Sequence, residues 1–179
     1  MPVAKIVIYP DPILRAKAKK IENIDGRVVH LAEEMAETMY AAPGVGLAAP
    51  QVGVSERLII VDVRHPEGEK ELITLINPEI LEVEGKVIGE EGCLSVPGVS
   101  EKVTRAERVL VRGYDPNEQQ REIEAEGLLA VALQHEIDHL EGILFIDRLS
   151  RLKKEIIQRK MRKMMRKGLK TGEGDYRLF

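Results

Sequence analysis

The chain has 179 residues, 44% hydrophobic and 32% charged, which is enough for one well-filled core and short for two domains. A single cysteine excludes an intrachain disulfide framework and fits a reducing compartment. No stretch approaches the ~20 apolar residues that span a bilayer, and the opening MPVAKIVIYPDP is interrupted too early by Pro10 and Pro12 to read as a signal peptide. A cytoplasmic location with no membrane partner is therefore expected. The net charge of −3 hides an asymmetry, because residues 151–170 carry ten Lys or Arg against the single acid Glu155. This basic segment on an acidic body fits two readings, a nucleic-acid or membrane-surface contact and a solvated amphipathic helix, and the sequence leaves both open.

In chain order, residues 26–41 place Val28, Leu31, Met35 and Met39 on one helical face, and Pro43 and Gly44 end that helix. Short β-branched runs at 57–63, 71–80, 80–88, 103–115 and 121–127 read as strands, with a turn at 115–118. From 127 to 141 the period becomes helical, with Leu128, Val131, Ala132, His135 and His139 on one stripe. A last helix over about 149–167 carries the basic residues. No repeat or linker divides the chain. The predicted fold is α+β: one compact domain spanning residues 1–179, with antiparallel or mixed strands around a central helix, and a basic C-terminal helix and tail from 151.

Three segments carry chemistry. QHEIDHLEG, residues 134–142, contains H-E-x-x-H. Residues four apart on a helix project side by side, so His135 and His139 can bind one metal ion, with Glu136 placed to take a proton from water. A catalytic site of this type commonly needs a third protein ligand. The position where one metalloprotease pattern has its third histidine is Phe145, and Glu155, the first acid on the next helix, sits among basic residues. Cys93, in EGCLS at 91–95, is the natural upstream choice, since a thiolate is a strong ligand for zinc or ferrous iron. GVGLAAPQ, residues 44–51, offers small residues for close backbone approach and the Gln51 amide, but taken alone it reads equally as a tight turn with Gln51 exposed.

Together GVGLAAPQ, EGCLS and QHEIDHLEG resemble the three signature motifs of the peptide deformylase family, in the family's order, and YPDPILR at 9–15 and INPEI at 76–80 are also similar to it. The resemblance implies removal of the formyl group from the formyl-methionine of nascent proteins, with release of formate. It assigns Cys93, His135 and His139 as ligands of one divalent metal ion. Ferrous iron is the ion expected, and zinc, nickel or cobalt can occupy such a site. Glu136 is then the acid–base residue, and the Gln51 side chain and the Leu94 backbone N–H are the oxyanion donors. The substrate would lie close to Gly46 and Gly92. Leu128, Val131 and Ala132, with Val45 opposite, are expected to line a methionine-sized pocket, each having core packing as its alternative. Glu91 and Arg105 pair either behind the metal site or on the surface. The basic helix fits ribosome contact, and a monomer is expected. A zinc endopeptidase and a non-catalytic metal-binding protein are the rival readings.

Overall fold

In the computed structural model, which describes residues 3–168, the run LIIV lies at the centre of the molecule as strand β2 (Leu58–Val61). All four of its residues are buried. Successive side chains leave a strand on opposite faces, so Leu58 and Ile60 enter one core while Ile59 and Val61 enter a second. β1 (Gly46–Ala48) and β3 (Ile73–Glu84) flank it, and β6 (Arg108–Tyr114) and β7 (Gln120–Glu126) complete a five-stranded sheet in the order β1-β2-β3-β6-β7. β4 (Val87–Cys93) and β5 (Val96–Arg105) form a separate two-stranded hairpin. Every strand pairing is antiparallel.

The helices cover the sheet from both sides. α1 (Gly26–Ala41) starts where the Asp25 carboxylate accepts the Val28 N–H at 3.1 Å, and it buries Val28, Leu31, Met35 and Met39 in the first core. α2 (Gly127–Leu140) fills the second, packing Ala130, Leu133, Ile137 and Leu140 against Val61, Leu75, Val109 and Val111. From Ala132 to Leu140 every residue of α2 is buried, so its polar groups there depend on partners within the fold. α3 (Arg151–Arg166) is capped by Ser150, which accepts the Lys153 N–H, and it packs Ile157 and Met161 into the first core, which also holds Cys93 and Leu94.

The expected fold class holds, with departures in the strands and last helix; β1, residues 89–93 of β4 and residues 96–102 of β5 lie outside the expected strand runs. The runs 71–80 and 80–88 do not meet as two strands. β3 continues to Glu84, the chain turns at Gly85–Lys86, and β4 follows. β3 tolerates its length by an irregularity between Ile76 and Glu79, where Asn77 adopts φ 53°. The Asn77 amide is clamped to the Ile21 backbone, accepting its N–H at 2.9 Å and donating to its carbonyl at 2.8 Å. The run 103–115 is broken at Ala106–Glu107, where the chain leaves the hairpin for the sheet. The last helix begins at Arg151 because residues Phe145–Arg148 form a separate 3-10 turn. The expected basic tail beyond residue 168 lies outside the described residues. No helix among the described residues is long and apolar enough to cross a membrane.

Candidate metal centre

Cys93 is the last residue of β4, and Leu94–Ser95 form the turn to β5. The register shifts between Gly92, opposite Ser100, and Cys93, opposite Val96. Such an irregularity bends a strand and re-aims its side chains, and here it accompanies the turn of the Cys93 thiol towards α2. One helical turn apart, His135 and His139 complete a buried group whose ligand atoms all lie within 4.8 Å of one another. Cys93 Sγ is 3.4 Å from His139 Nε2. One soft sulfur and two imidazoles form a donor set suited to a divalent transition metal, leaving room for a further ligand.

The two histidines are held differently. His135 Nδ1 lies 2.9 Å from Glu91 Oε1. A carboxylate only accepts, so Nδ1 carries a hydrogen. Burial alone would lower the His135 pKa, but hydrogen bonds to Cys93 and Glu91 raise it well above its ordinary value, and a metal would take Nε2 in place of the second proton. Burial alone would raise the Glu91 carboxyl, but hydrogen bonds from Arg105 and His135 hold it down to about 2. Arg105, fully enclosed, donates to both Glu91 oxygens at 2.8 Å and to Asp138 Oδ2 at 2.6 Å. Arg148 closes the row with two 2.7 Å bonds to Asp138. His139 has no partner at Nδ1, and burial, together with the positive charges of His135 and Arg105, keeps its imidazole neutral by holding its pKa well below the ordinary range. The Glu91–Arg105 pair is thus buried behind the metal group, the first of the two arrangements the sequence leaves open.

A cleft of about 170 Å³ opens onto this group. Val45, Gly46, Gln51, Gly92, Leu94, Leu128, Val131, Ala132 and Glu136 all line it, as do Cys93 and His135, whereas His139 sits behind the wall. Leu128, 57% exposed, stands at the mouth rather than in the core. Gln51 is not exposed, as the tight-turn reading would have it, but buried, with Oε1 accepting the Ala48 N–H at 2.9 Å. That bond turns its NH₂ inward, 3.6 Å from Cys93 Sγ and 3.2 Å from Ser95 Oγ. Glu136 is fully enclosed, and desolvation pushes its carboxyl up to about 7, where it can exchange a proton near neutral pH. Its Oε2 has no hydrogen-bond partner. A Cβ on Gly46 would stand 2.6 Å from Oε1, so only glycine lets the β1 backbone approach this carboxylate.

Several supporting residues escaped the sequence reading although the motifs contained them. Gln134 spans the gap between β5 and β6, exchanging two 2.9 Å bonds with the Ala106 backbone. Asp138 is the acceptor shared by Arg105 and Arg148. Ser95 binds Gln51, and its carbonyl accepts the Tyr9 N–H at 2.8 Å, while Val7 N–H donates to the Gln51 carbonyl, also at 2.8 Å. A polar residue beside a ligand on an otherwise enclosed helix was the available signal, since it must find a partner.

A family model described as polypeptide deformylase matches residues 3–155. The peptide deformylase of Thermodesulfovibrio yellowstonii is 54% identical over 162 residues, covering 90% of this chain and 98% of its own. Among solved structures, a peptide deformylase from Legionella pneumophila is 48% identical with a TM-score of 0.86, covering 92% of this chain and 96% of that one. The peptide deformylase from Ehrlichia chaffeensis in complex with actinonin is 40% identical with a TM-score of 0.88, covering 93% and 99%.

Proposed function

Since this chain belongs to the peptide deformylase family, and is a hydrolase that removes the N-formyl group from the formyl-methionine of nascent polypeptides and releases formate, we propose how its residues divide that work. Cys93, His135 and His139 hold one divalent metal ion, a reading carried by their buried ligand atoms, all within 4.8 Å of one another beside the cleft. When bound, the ion supplies the Lewis acidity that makes water a competent nucleophile near neutral pH. Ferrous iron is the ion we assign, with zinc, nickel and cobalt suited to the same donors.

Glu136 accepts the proton of the attacking water and returns it to the departing amine, a role supported by its burial and raised pKa. As the formyl carbon becomes tetrahedral, the Gln51 NH₂ and the Leu94 backbone N–H donate to its oxyanion. Fixing Gln51 through Ala48 in advance means that little reorganisation is needed when that charge develops. The methionine side chain occupies the pocket of Val45, Leu128, Val131 and Ala132, while Gly46 and Gly92 let the substrate backbone lie close. Formate release from formyl-Met-Ala-Ser, assayed anaerobically with iron(II), tests the reading. Activity is expected in the wild type and absent in Cys93→Ala, which should also fail to retain metal. Turnover of unformylated peptides instead would replace it with an endopeptidase.

We also propose that the enzyme works in the cytoplasm as a monomer and meets nascent chains at the ribosome, and the basic helix supports the last of these. Arg159, Arg162, Lys163, Arg166 and Lys167 are exposed, whereas Lys153 and Lys160 are tied to Glu101 and to the Gly98 carbonyl of β5. Residues 169 and 170 of the expected contact segment lie outside the described residues. Deleting the helix would strip Ile157 and Met161 from the core, so charge reversal at Arg159, Arg162 and Lys163 is the sharper test. It should weaken ribosome binding most at low salt and leave small-peptide deformylation intact. Unchanged ribosome affinity would refute the contact.

A further inference from the structure

The segment Gly44–Val45–Gly46 forms one wall of the cleft and has no slack towards it. A Cβ on Gly44 would meet Leu94 Cδ1 at 2.9 Å, and one on Gly46 would meet Glu136 Oε1 at 2.6 Å. The wall therefore rests on both the acid–base residue and the residue proposed to supply an oxyanion donor. Its outer side is held by a loop that neither the motifs nor the chemistry explains. Asp62, 1% exposed at the end of β2, donates its N–H to the Val45 carbonyl at 2.8 Å. Its carboxylate accepts the Tyr40 hydroxyl at 2.7 Å and the N–H groups of Arg64, His65 and Glu71 at 3.0, 3.0 and 3.1 Å. The three backbone donors fold residues 62–71 back on themselves, and the His65 ring stands edge-on to Tyr40, with centroids 5.0 Å apart. From there His65 Nε2 reaches the Gly44 carbonyl oxygen at 2.6 Å. A carbonyl only accepts, so Nε2 is the donor.

We propose that His65 is a positioning residue for the reaction: by donating to the Gly44 carbonyl it fixes the cleft wall, and with it the approach of the formylmethionyl backbone to Leu94 and Glu136. The inference rests on the deformylase function described above. Without the bond, the Gly44 carbonyl loses its tether, and the flexible glycine backbone lets the Gly44–Val45 peptide plane tilt between the anchors that remain at the Gly44 N–H and the Val45 carbonyl. The wall touches the substrate in the ground state and the transition state alike, so the loss falls on KM more than on kcat.

The test compares His65→Ala and His65→Gln with the wild type, using hydrogen exchange of peptides covering residues 43–47 and steady-state formate release from formyl-Met-Ala-Ser by the iron(II) enzyme. His65→Ala should speed exchange in that segment and lower kcat/KM roughly three- to tenfold, the worth of one hydrogen bond, chiefly through KM. Bound metal and exchange in β2 and β3 should match the wild type. The Gln amide, which presents an N–H at similar reach, should recover most of both effects. Unchanged exchange at 43–47 in His65→Ala overturns the proposal, and so does an equal loss in both variants, which would assign the effect to ring packing on Tyr40. A wild type that releases no formate would count against the function itself, and the exchange comparison would still decide whether His65 clamps the wall.

Discussion

Two helices of nearly equal length, α2 with 14 residues and α3 with 16, put their polar side chains to opposite uses. α2 buries Gln134, His135, Glu136, Asp138 and His139. Three of them lean on groups elsewhere in the fold: Gln134 on Ala106, His135 on Glu91, and Asp138 on Arg105 and Arg148. α3 buries only Ile157 and Met161 and leaves its charges at the surface, where Arg151 pairs with Glu155 one turn on and Lys153 with Glu101. A buried charge that loses its partner keeps its desolvation penalty, whereas an exposed one is rehydrated. Polar residues of α2 are therefore interdependent, and those of α3 act nearly alone.

That difference ranks the effects of substitution. Glu136→Gln keeps the size of the side chain and removes the proposed base, so kcat should fall by about 10²–10⁴-fold with bound metal unchanged. A kcat within tenfold of wild type would remove Glu136 from the chemistry. Arg105→Met leaves Glu91 and Asp138 short of a partner, and urea unfolding should show a loss of about 3–5 kcal/mol. Weakened metal retention should accompany it, because Glu91 no longer holds His135 in one orientation. Met161→Ala on α3 should cost about 2–5 kcal/mol by opening a cavity, but leave the rate per metal-loaded molecule near wild type. An equal fall in that rate would erase the contrast between the helices.

The smallest effect belongs to Asp147, which accepts from Arg15, Lys154 and the Leu144 N–H at the base of α3. Burial would raise its carboxyl, but these partners hold it below its ordinary range. A depressed folded pKa gives stability that is complete above the unfolded value of about 4 and disappears as pH falls through the lower folded value. Asp147→Asn should flatten that acid limb by less than about 1 kcal/mol, read from melting temperature against pH. A larger change would place this surface cluster among the interdependent groups.

What the sequence disclosed follows the same division. Periodicity located α1 and α2, because Val28, Leu31, Met35 and Met39 repeat with the helix and bury on one side. The lone thiol and the paired histidines could be linked because a two-histidine helix lacks a third ligand. The β4–β5 hairpin was illegible: IGEEGC alternates poorly, and its pairing depends on where β5 returns. The row Glu91, Arg105, Asp138 and Arg148 was legible only in part: the Glu91–Arg105 pair was one of two arrangements left open, while Asp138 and Arg148 were hidden, since burial decides them and each charge alone reads as solvated. His65 was invisible because its acceptor is a backbone carbonyl, which leaves no mark in side-chain chemistry.

Residues 7–9 are absent from the cleft lining, yet they dimension the cleft. Val7 and Tyr9 donate from the same edge of an extended backbone, one to the carbonyl of Gln51 and the other to that of Ser95. Alternate residues of an extended chain are spaced about 6.6–6.8 Å apart. The peptide repeat itself thus acts as a gauge bar, setting the gap between the segment that bears the Gln51 amide and the turn that bears Leu94. Inserting one residue between Val7 and Tyr9 would misset that gap without changing the identity of any cleft residue, so the tolerances of this enzyme are cut from outside its cleft.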